Sequence, residues 1–119
     1  MTWNVECTDE FGEWWGSLND DEQIAITSIV QLLEVKGPQL PYPYSSGINN
    51  SRFSHMRELR IQHKGDPYRI LYAFDPRRTA ILLIGGNKVG NDRWYEEYVP
   101  VANRLYEEHI RTIEKEENK

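Results

Sequence analysis

Hydrophobic and polar positions change their period several times along this chain, and each change marks an element. Residues 2–7, Thr-Trp-Asn-Val-Glu-Cys, alternate and carry β-forming side chains, which predicts a strand. Thr8 then stands as a helix N-cap, with Asp9 and Glu10 in the first turn where the helix dipole favours acids. Phe11, Trp14, Trp15 and Leu18 follow at helical spacing. Asn19 and Asp20 break and recap, and a second helix is expected to about Lys36. Ile26, Ile29, Val30 and Leu33 form its apolar stripe, with Ile24 and Leu32 at the margins. Gly37-Pro38 is a stop signal. The pair predicts an αα-hairpin whose apolar faces need something to cover.

From Gly37 to Ser54 the periodicity is lost in a run rich in Pro, Tyr, Ser and Asn. Such a stretch is long for a loop within a compact domain, and its Tyr42, Tyr44 and Phe53 predict that it packs on something. Residues 55–62 and 67–75 then read as two strands around a His63-Lys64-Gly65-Asp66 turn. With Lys64-Gly65 at the tip, Leu59 faces Ile70, Ile61 faces Tyr68 and Arg57 faces Tyr72, on the side expected to meet the helices. The opposite side pairs Arg60 with Arg69. Two guanidiniums so placed repel by a few tenths to about 1 kcal/mol. That second face is expected to be open.

Asp75-Pro76-Arg77-Arg78 is a type I turn. Thr79 to Ile84 is nearly all apolar, which predicts a central strand buried on both faces, ending in Gly85-Gly86-Asn87-Lys88. A short helix around Asp92–Tyr98 is expected next, with Pro100 starting another. Val101, Leu105, Ile110 and Ile113 form its docking stripe, before a frayed charged tail at 114–119. The order β-α-α-β-β-β-α makes the chain an α+β protein, expected as a single domain over 1–119.

Composition narrows the class. Of 119 residues, 39% are hydrophobic and 28% charged, the balance of a globular domain and not of a disordered or fibrous chain. No apolar run reaches the roughly 18 residues that a membrane span needs. The start, Met1-Thr2-Trp3-Asn4, has no basic region and no apolar core of a secretory signal, and the single Cys7 cannot form an internal disulfide. A cytoplasmic protein is expected. The net charge of −5 hides a division: residues 1–51 carry eight acids against one base, and 95–119 carry seven acids against four bases. Between them, residues 52–94 carry nine bases against four acids. A local positive patch on a negative body suits an anionic ligand held at one place.

Several chemistries are absent. His55, His63 and His109 share no metal-ligand spacing, and one cysteine makes no zinc cluster. There is no Walker loop and no Gly-x-Ser-x-Gly elbow, and Gly85 to Gly90 lacks the spacing of a dinucleotide site. No pair of carboxylates stands out for glycosidase or metal-nuclease work. What remains is cationic: Arg60, Arg69 and Lys88 on or near one sheet face, Arg57, Arg77 and Arg93 around it, and Tyr95 after the last strand. Arginine forks bind a phosphate and stabilise the extra charge of a pentacoordinate transition state. RNA brings its own nucleophile, the 2′-OH, so such a site could cut RNA with positioning, charge and a weak acid or base, for which Lys88 or Tyr95 would serve. Structural roles compete with these: Arg60 and Arg69 as an inter-strand pair offset by Glu58, Lys88 as a solvated lysine, Tyr95 as a plug between helix and sheet, His55 as a strand-start residue.

The run Met56-Arg57-Glu58-Leu59-Arg60, then Tyr68-Arg69-Ile70-Leu71-Tyr72-Ala73-Phe74-Asp75, then Ala80 to Lys88, resembles the RelE/ParE toxin superfamily, and within it HigB-like toxins including the phage-derived subgroup. The tail is similar too: Trp94-Tyr95-Glu96-Glu97, Pro100-Val101-Ala102 and Tyr106-Glu107-Glu108-His109. The resemblance implies a small, mostly antiparallel sheet with two N-terminal helices on one face and a C-terminal helix. It implies the toxin of a type II toxin–antitoxin pair, an mRNA interferase that cuts mRNA in the ribosomal A site and needs no cofactor. It further implies silencing by a helix-turn-helix, HigA-like antitoxin, with operator DNA reached only through that partner. By position, Arg60, Arg69, Lys88 and Tyr95 match the family's catalytic residues, while Arg57, Arg77, Arg93 and His55 would contact RNA. His55 and Asp92 are the loose matches to the histidines and acid of some HigB members. An acidic body would also limit indiscriminate RNA binding, because phosphate contacts dominate non-specific affinity. A ParE-like gyrase inhibitor without catalysis is the alternative, and a phosphate- or RNA-binding module without turnover is a third.

Overall fold

A computed structural model describes residues 2–118, so Met1 and Lys119, the ends of the expected start segment and tail, lie outside it. Its centre is a hairpin of β3 (Arg57–His63) and β4 (Asp66–Phe74), paired Arg57 to Tyr72, Leu59 to Ile70, Arg60 to Arg69 and Ile61 to Tyr68. That register follows from the two-residue turn. Lys64 and Gly65 both have positive φ, 50° and 85°, as a turn matched to the strands' twist requires. β5 (Ala80–Asn87) adds antiparallel to β4 through a turn closed by Arg78 N–H to the Asp75 carbonyl, 2.8 Å. β1 (Val5–Cys7) lies parallel to β5 at one edge, and with β2 (Ser45–Gly47) the five-stranded order is β1-β5-β4-β3-β2.

The other edge is β2 (Ser45–Gly47), antiparallel to β3. Sequence reading expects a loop there, because Ser-Ser-Gly carries no strand signal. β3 supplies the template instead: the Arg60 N–H reaches the Tyr44 carbonyl at 2.9 Å, and the buried Ser45 hydroxyl lies 2.6 Å from the Tyr72 hydroxyl. The packing expected of the 37–54 segment is therefore present, as a sheet edge.

Two layers of helix sandwich the sheet. α1 (Asp9–Gly16) is capped by Thr8, whose hydroxyl accepts from the Phe11 N–H at 3.0 Å. α2 (Asp20–Lys36) opens with a capping box between Asn19 and Glu22. Phe11, Ile26 and Leu33 close a core with Leu59, Ile61, Ile70 and Tyr72 on one face. The other face carries a second core, in which Leu71, Ala73, Ile81 and Leu83 meet Trp94, Val99, Ala102 and Leu105 of α3 (Trp94–Glu117).

α3 corrects two expectations. It is one helix passing through Pro100, not a short helix followed by a second one. Pro100 is exposed, so the carbonyl its ring leaves unpaired one turn earlier can be taken by water. It also covers the sheet face expected to be open, because its stripe needs an apolar floor and the 71–83 side chains provide one. Its helical turns run on through the segment expected to fray, as far as Glu117. The element order agrees with the expected α+β arrangement apart from the added β2. None of the described helices is long and apolar enough to cross a membrane.

Candidate active site

The paired arginines of β3 and β4 do not repel across an open face; a carboxylate lies between them. Glu58 stands two residues before Arg60 on β3, hence on the same face of the sheet, and is 4% exposed. Its Oε2 accepts from Arg60 Nη1 at 3.0 Å and from the Ser46 hydroxyl of β2 at 2.6 Å. Its Oε1 accepts from the Tyr95 hydroxyl at 2.5 Å and lies 3.5 Å from Arg69 Nε. Arg69, 6% exposed, also donates Nη1 to the Tyr68 carbonyl at 2.9 Å and Nε to the Tyr95 oxygen at 3.3 Å. Two positive groups and one negative group thus share a single hydrogen-bonded array.

Tyr95 arrives there because of a glycine. Arg69 pairs with Gly86 across β4 and β5, and a Cβ at Gly86 would come within 2.6 Å of the Trp94 ring nitrogen. The missing side chain lets Trp94 lie flat on the sheet, 2% exposed, and the next residue then projects between β3 and β4. Burial, first, and then the hydrogen bond given to Glu58 push the Tyr95 phenol above its ordinary pKa. Tyr95 is thereby held protonated, as a donor. Lys88, just beyond β5, places its ammonium 5.7 Å from the Tyr95 ring centroid.

The array separates two clefts. Arg60 and Arg69 line one of about 320 Å3 with Pro43, Tyr44 and Gln62. Glu58 and Tyr95 line another of about 360 Å3 with Gly47, Asn49, Asp92 and Glu96. Tyr42, 70% exposed, offers its ring 5.2 Å from the Arg60 guanidinium at the rim.

The structure brings Arg60, Arg69, Lys88 and Tyr95 together. It does not bring Arg57, Arg77 or His55 to them. Arg57 shares its face with Tyr72 and donates Nε to Ser45 at 3.0 Å, on the side of α1 and α2. Arg77 lies in the β4–β5 turn, bonded to Asp75 at 2.7 Å and Glu6 at 2.9 Å. His55 meets the Tyr106 hydroxyl at 3.0 Å, about three helical turns along α3 from Tyr95. Arg93 is at the rim, exposed and paired with Glu96 at 3.0 Å, and Asp92 lines the second cleft. Sequence reading gave Glu58 only an offsetting role. Its two-residue spacing from Arg60 was the signal for more; the contributions of Ser46 and Tyr42 had none.

Comparison with known proteins places the chain in a family. The family described as "Phage derived protein Gp49-like (DUF891)" matches residues 13–107. The chain belongs to that family, among the HigB-like toxins of the RelE superfamily. It is 45% identical over 95 residues to the Mycobacterium tuberculosis protein named "Putative toxin HigB3", covering 79% of this chain and 82% of that one. It is 33% identical over 114 residues to "Putative toxin HigB2" of the same organism, covering 94% of this chain and 56% of the relative. The fold is similar to that of an archaeal RelE–RelB complex from Pyrococcus horikoshii, with a TM-score of 0.55 and 18% identity over 76% of this chain and 99% of that one. The protein is thus a toxin of the RelE/HigB kind from toxin–antitoxin systems.

Proposed function

We propose that this HigB-like toxin is a ribosome-dependent mRNA endonuclease, and that the Arg60–Glu58–Tyr95–Arg69 array with Lys88 is its active site. The observation that carries this is the placing of a buried carboxylate against two guanidiniums and a protonated phenol beside open clefts. In this reading the scissile phosphate engages Arg60 and Arg69 and draws them from Glu58. The released carboxylate takes the proton of the 2′-OH. The 2′-oxygen bonds to phosphorus, the bond from phosphorus to the 5′-oxygen breaks, and Lys88 gives the departing oxygen a proton. The products are a 2′,3′-cyclic phosphate and a 5′-hydroxyl end, and the strand itself supplies the nucleophile. Tyr95 positions Glu58 and Arg69. Arg93 and Tyr42 at the rim would hold flanking nucleotides, the latter by stacking.

The acidic remainder of the protein supports delivery of mRNA by the ribosomal A site in preference to capture from solution. The RelE–RelB complex among its fold relatives supports an antitoxin partner, for which the family resemblance points to a HigA-like helix-turn-helix protein.

The near-complete burial of Arg69 favours a second reading, in which the array is structural and the toxin acts by binding, as a ParE-like gyrase inhibitor would. Primer extension on a defined mRNA separates the two. Ribosome-dependent cuts by the purified protein that vanish in Lys88→Ala, with its fold intact, establish the nuclease. Growth arrest on expression without cuts in any lane overturns it.

A further inference from the structure

β2 covers only part of the β3 edge, and the uncovered part lies beside the paired arginines. The pairing of β2 with β3 begins at Ser45 and Leu59, preceded only by the Arg60 N–H donating to the Tyr44 carbonyl. Main-chain groups two residues apart on a strand point the same way, so the N–H and C=O of Gln62 leave β3 at this edge. The residue opposite agrees: Gln62 pairs with Pro67, which has no N–H to give. Upstream of Tyr44 the chain folds into a turn, with the Tyr44 and Ser45 N–H groups both on the Pro41 carbonyl at 3.0 and 3.1 Å. β2 therefore does not extend over Gln62.

The cleft that Arg60 and Arg69 line opens at this gap. Ile29 of α2, Ile61 and Pro43 give it apolar lining, and Tyr44 adds a ring that is 40% exposed. Gln62 stands two residues after Arg60, hence on the same face, and is exposed. Among the described residues no acid lines this cleft, whereas Glu58, Asp92 and Glu96 line the one on the other side of the array. A phosphate alone would need none of the apolar lining. A nucleobase would use all of it, because its faces stack and its edge carries donors beside acceptors.

We propose that this cleft is a nucleobase pocket for the nucleotide flanking the scissile phosphate, with Tyr44 as its stacking platform and Gln62 as its specificity-determining residue. The main-chain N–H and C=O of Gln62 meet an acceptor and a donor on the base edge. Its side-chain amide, donor and acceptor in one group, discriminates among bases. The flanking base enters on this side because the acids of the other cleft repel the strand's phosphates. The pocket rests on the reading of Arg60 and Arg69 as phosphate ligands and adds the base to it.

The probes are the nucleoside 3′- and 5′-monophosphates of all four bases, beside ribose 5-phosphate, which carries the anion without a base. Binding to the isotope-labelled protein at low salt is followed by the nuclear magnetic resonance signals of the Gln62 amides and of Arg69 Nε. Nucleotides are expected to shift all of these, with affinities that differ among bases by about fivefold or more. Ribose phosphate shifts Arg69 Nε and leaves Gln62 unmoved. Tyr44→Ala weakens nucleotide binding by about 5- to 150-fold and spares ribose phosphate. Tyr44→Leu, which keeps an apolar side chain and loses the π face, does the same. Gln62→Ala narrows the differences among bases and also spares ribose phosphate. Unmoved Gln62 amides, nucleotides that bind no tighter than ribose phosphate, or an unchanged base preference in Gln62→Ala overturns the proposal. An Arg69 Nε signal that no probe moves removes the phosphate site along with the pocket. Binding needs no turnover, so shifted Gln62 amides in a toxin that cuts no mRNA would refute the nuclease and keep the pocket, and cuts with unmoved Gln62 amides would do the reverse.

Discussion

Tyr95 gives its phenolic hydrogen to Glu58 across 2.5 Å, joining the first turn of α3 to the strand that carries Arg60. The contact bridges residues 37 apart in sequence and sits over the pairing of Arg60 with Arg69. One hydrogen bond thereby connects the packing of the second core to the charge state of the proposed active site.

Removing that hydroxyl tests the connection. Tyr95→Phe keeps the ring and loses a bond to a charged acceptor, so stability is expected to fall by about 1.5–3 kcal/mol. Cleavage should fall further than the folded fraction does, because Glu58 and Arg69 lose their common anchor. Urea unfolding beside ribosome-dependent cleavage measures both; an unchanged cleavage rate per folded molecule would remove Tyr95 from the site.

Glu58→Gln discriminates between proton acceptor and counter-charge. If the carboxylate takes the 2′-OH proton, cleavage drops by about 10²–10⁴-fold while RNA affinity holds or rises. A variant that binds RNA more tightly and still cuts at the original rate would reduce Glu58 to a neutralising role.

Arg69→Ala is not a simple surface deletion. It strips a partner from a buried carboxylate, although Arg60, Ser46 and Tyr95 still satisfy Glu58, so the expected cost is about 1–3 kcal/mol. The loss of transition-state charge stabilisation should lower cleavage by about 10²–10³-fold. Lys88→Ala is the cleaner probe, because a half-exposed cation over a ring contributes only about 0.5–1 kcal/mol. Thermal melts of the two variants should therefore differ while both lose activity.

Asp75 predicts an acid limit to stability. Burial alone would raise its carboxyl, but hydrogen bonds from His109, from Arg77 and from the Thr79 and Arg77 amides outweigh this and hold it below its ordinary value. A carboxyl depressed in the folded state contributes stability that is full above the unfolded pKa and is lost as pH falls through the folded one. Tm should accordingly decline below about pH 4, and Asp75→Asn should be less stable at neutral pH with a flatter profile in acid. An equally steep acid decline in Asp75→Asn would contradict this.

Arg77→Ala checks the geography of the cations. Arg77 is bound to Asp75 and Glu6 at the far end of β4, so the variant should lose stability and keep its cleavage rate per folded molecule. A selective loss of cleavage would bring that end of the sheet into RNA binding.

Much of this was legible before any coordinates. Thr8 and Asn19 announced both N-caps, because a capping side chain acts on amides two or three residues away. The Lys64-Gly65 turn was enough to set the whole β3–β4 register, including Arg60 opposite Arg69, since a two-residue turn leaves one pairing. Strand alternation likewise put Glu58 beside Arg60, although its central place was not read from it. Pro100 misled: the N-terminal preference of proline is local, whereas an exposed proline inside a helix is tolerated when a long apolar stripe docks as one unit.

Local pattern thus determined the caps, the turns, the strand register and the cationic character of one sheet face. Only tertiary structure decided that α3 would cover that face, that Gly86 would admit Trp94 and so deliver Tyr95, and that β2 would bring Ser46 to Glu58. The reason is range. Caps, turns and alternation are settled by atoms a few residues apart, while the burial of Arg69 depends on which of two apolar floors a helix 25 residues downstream comes to rest on.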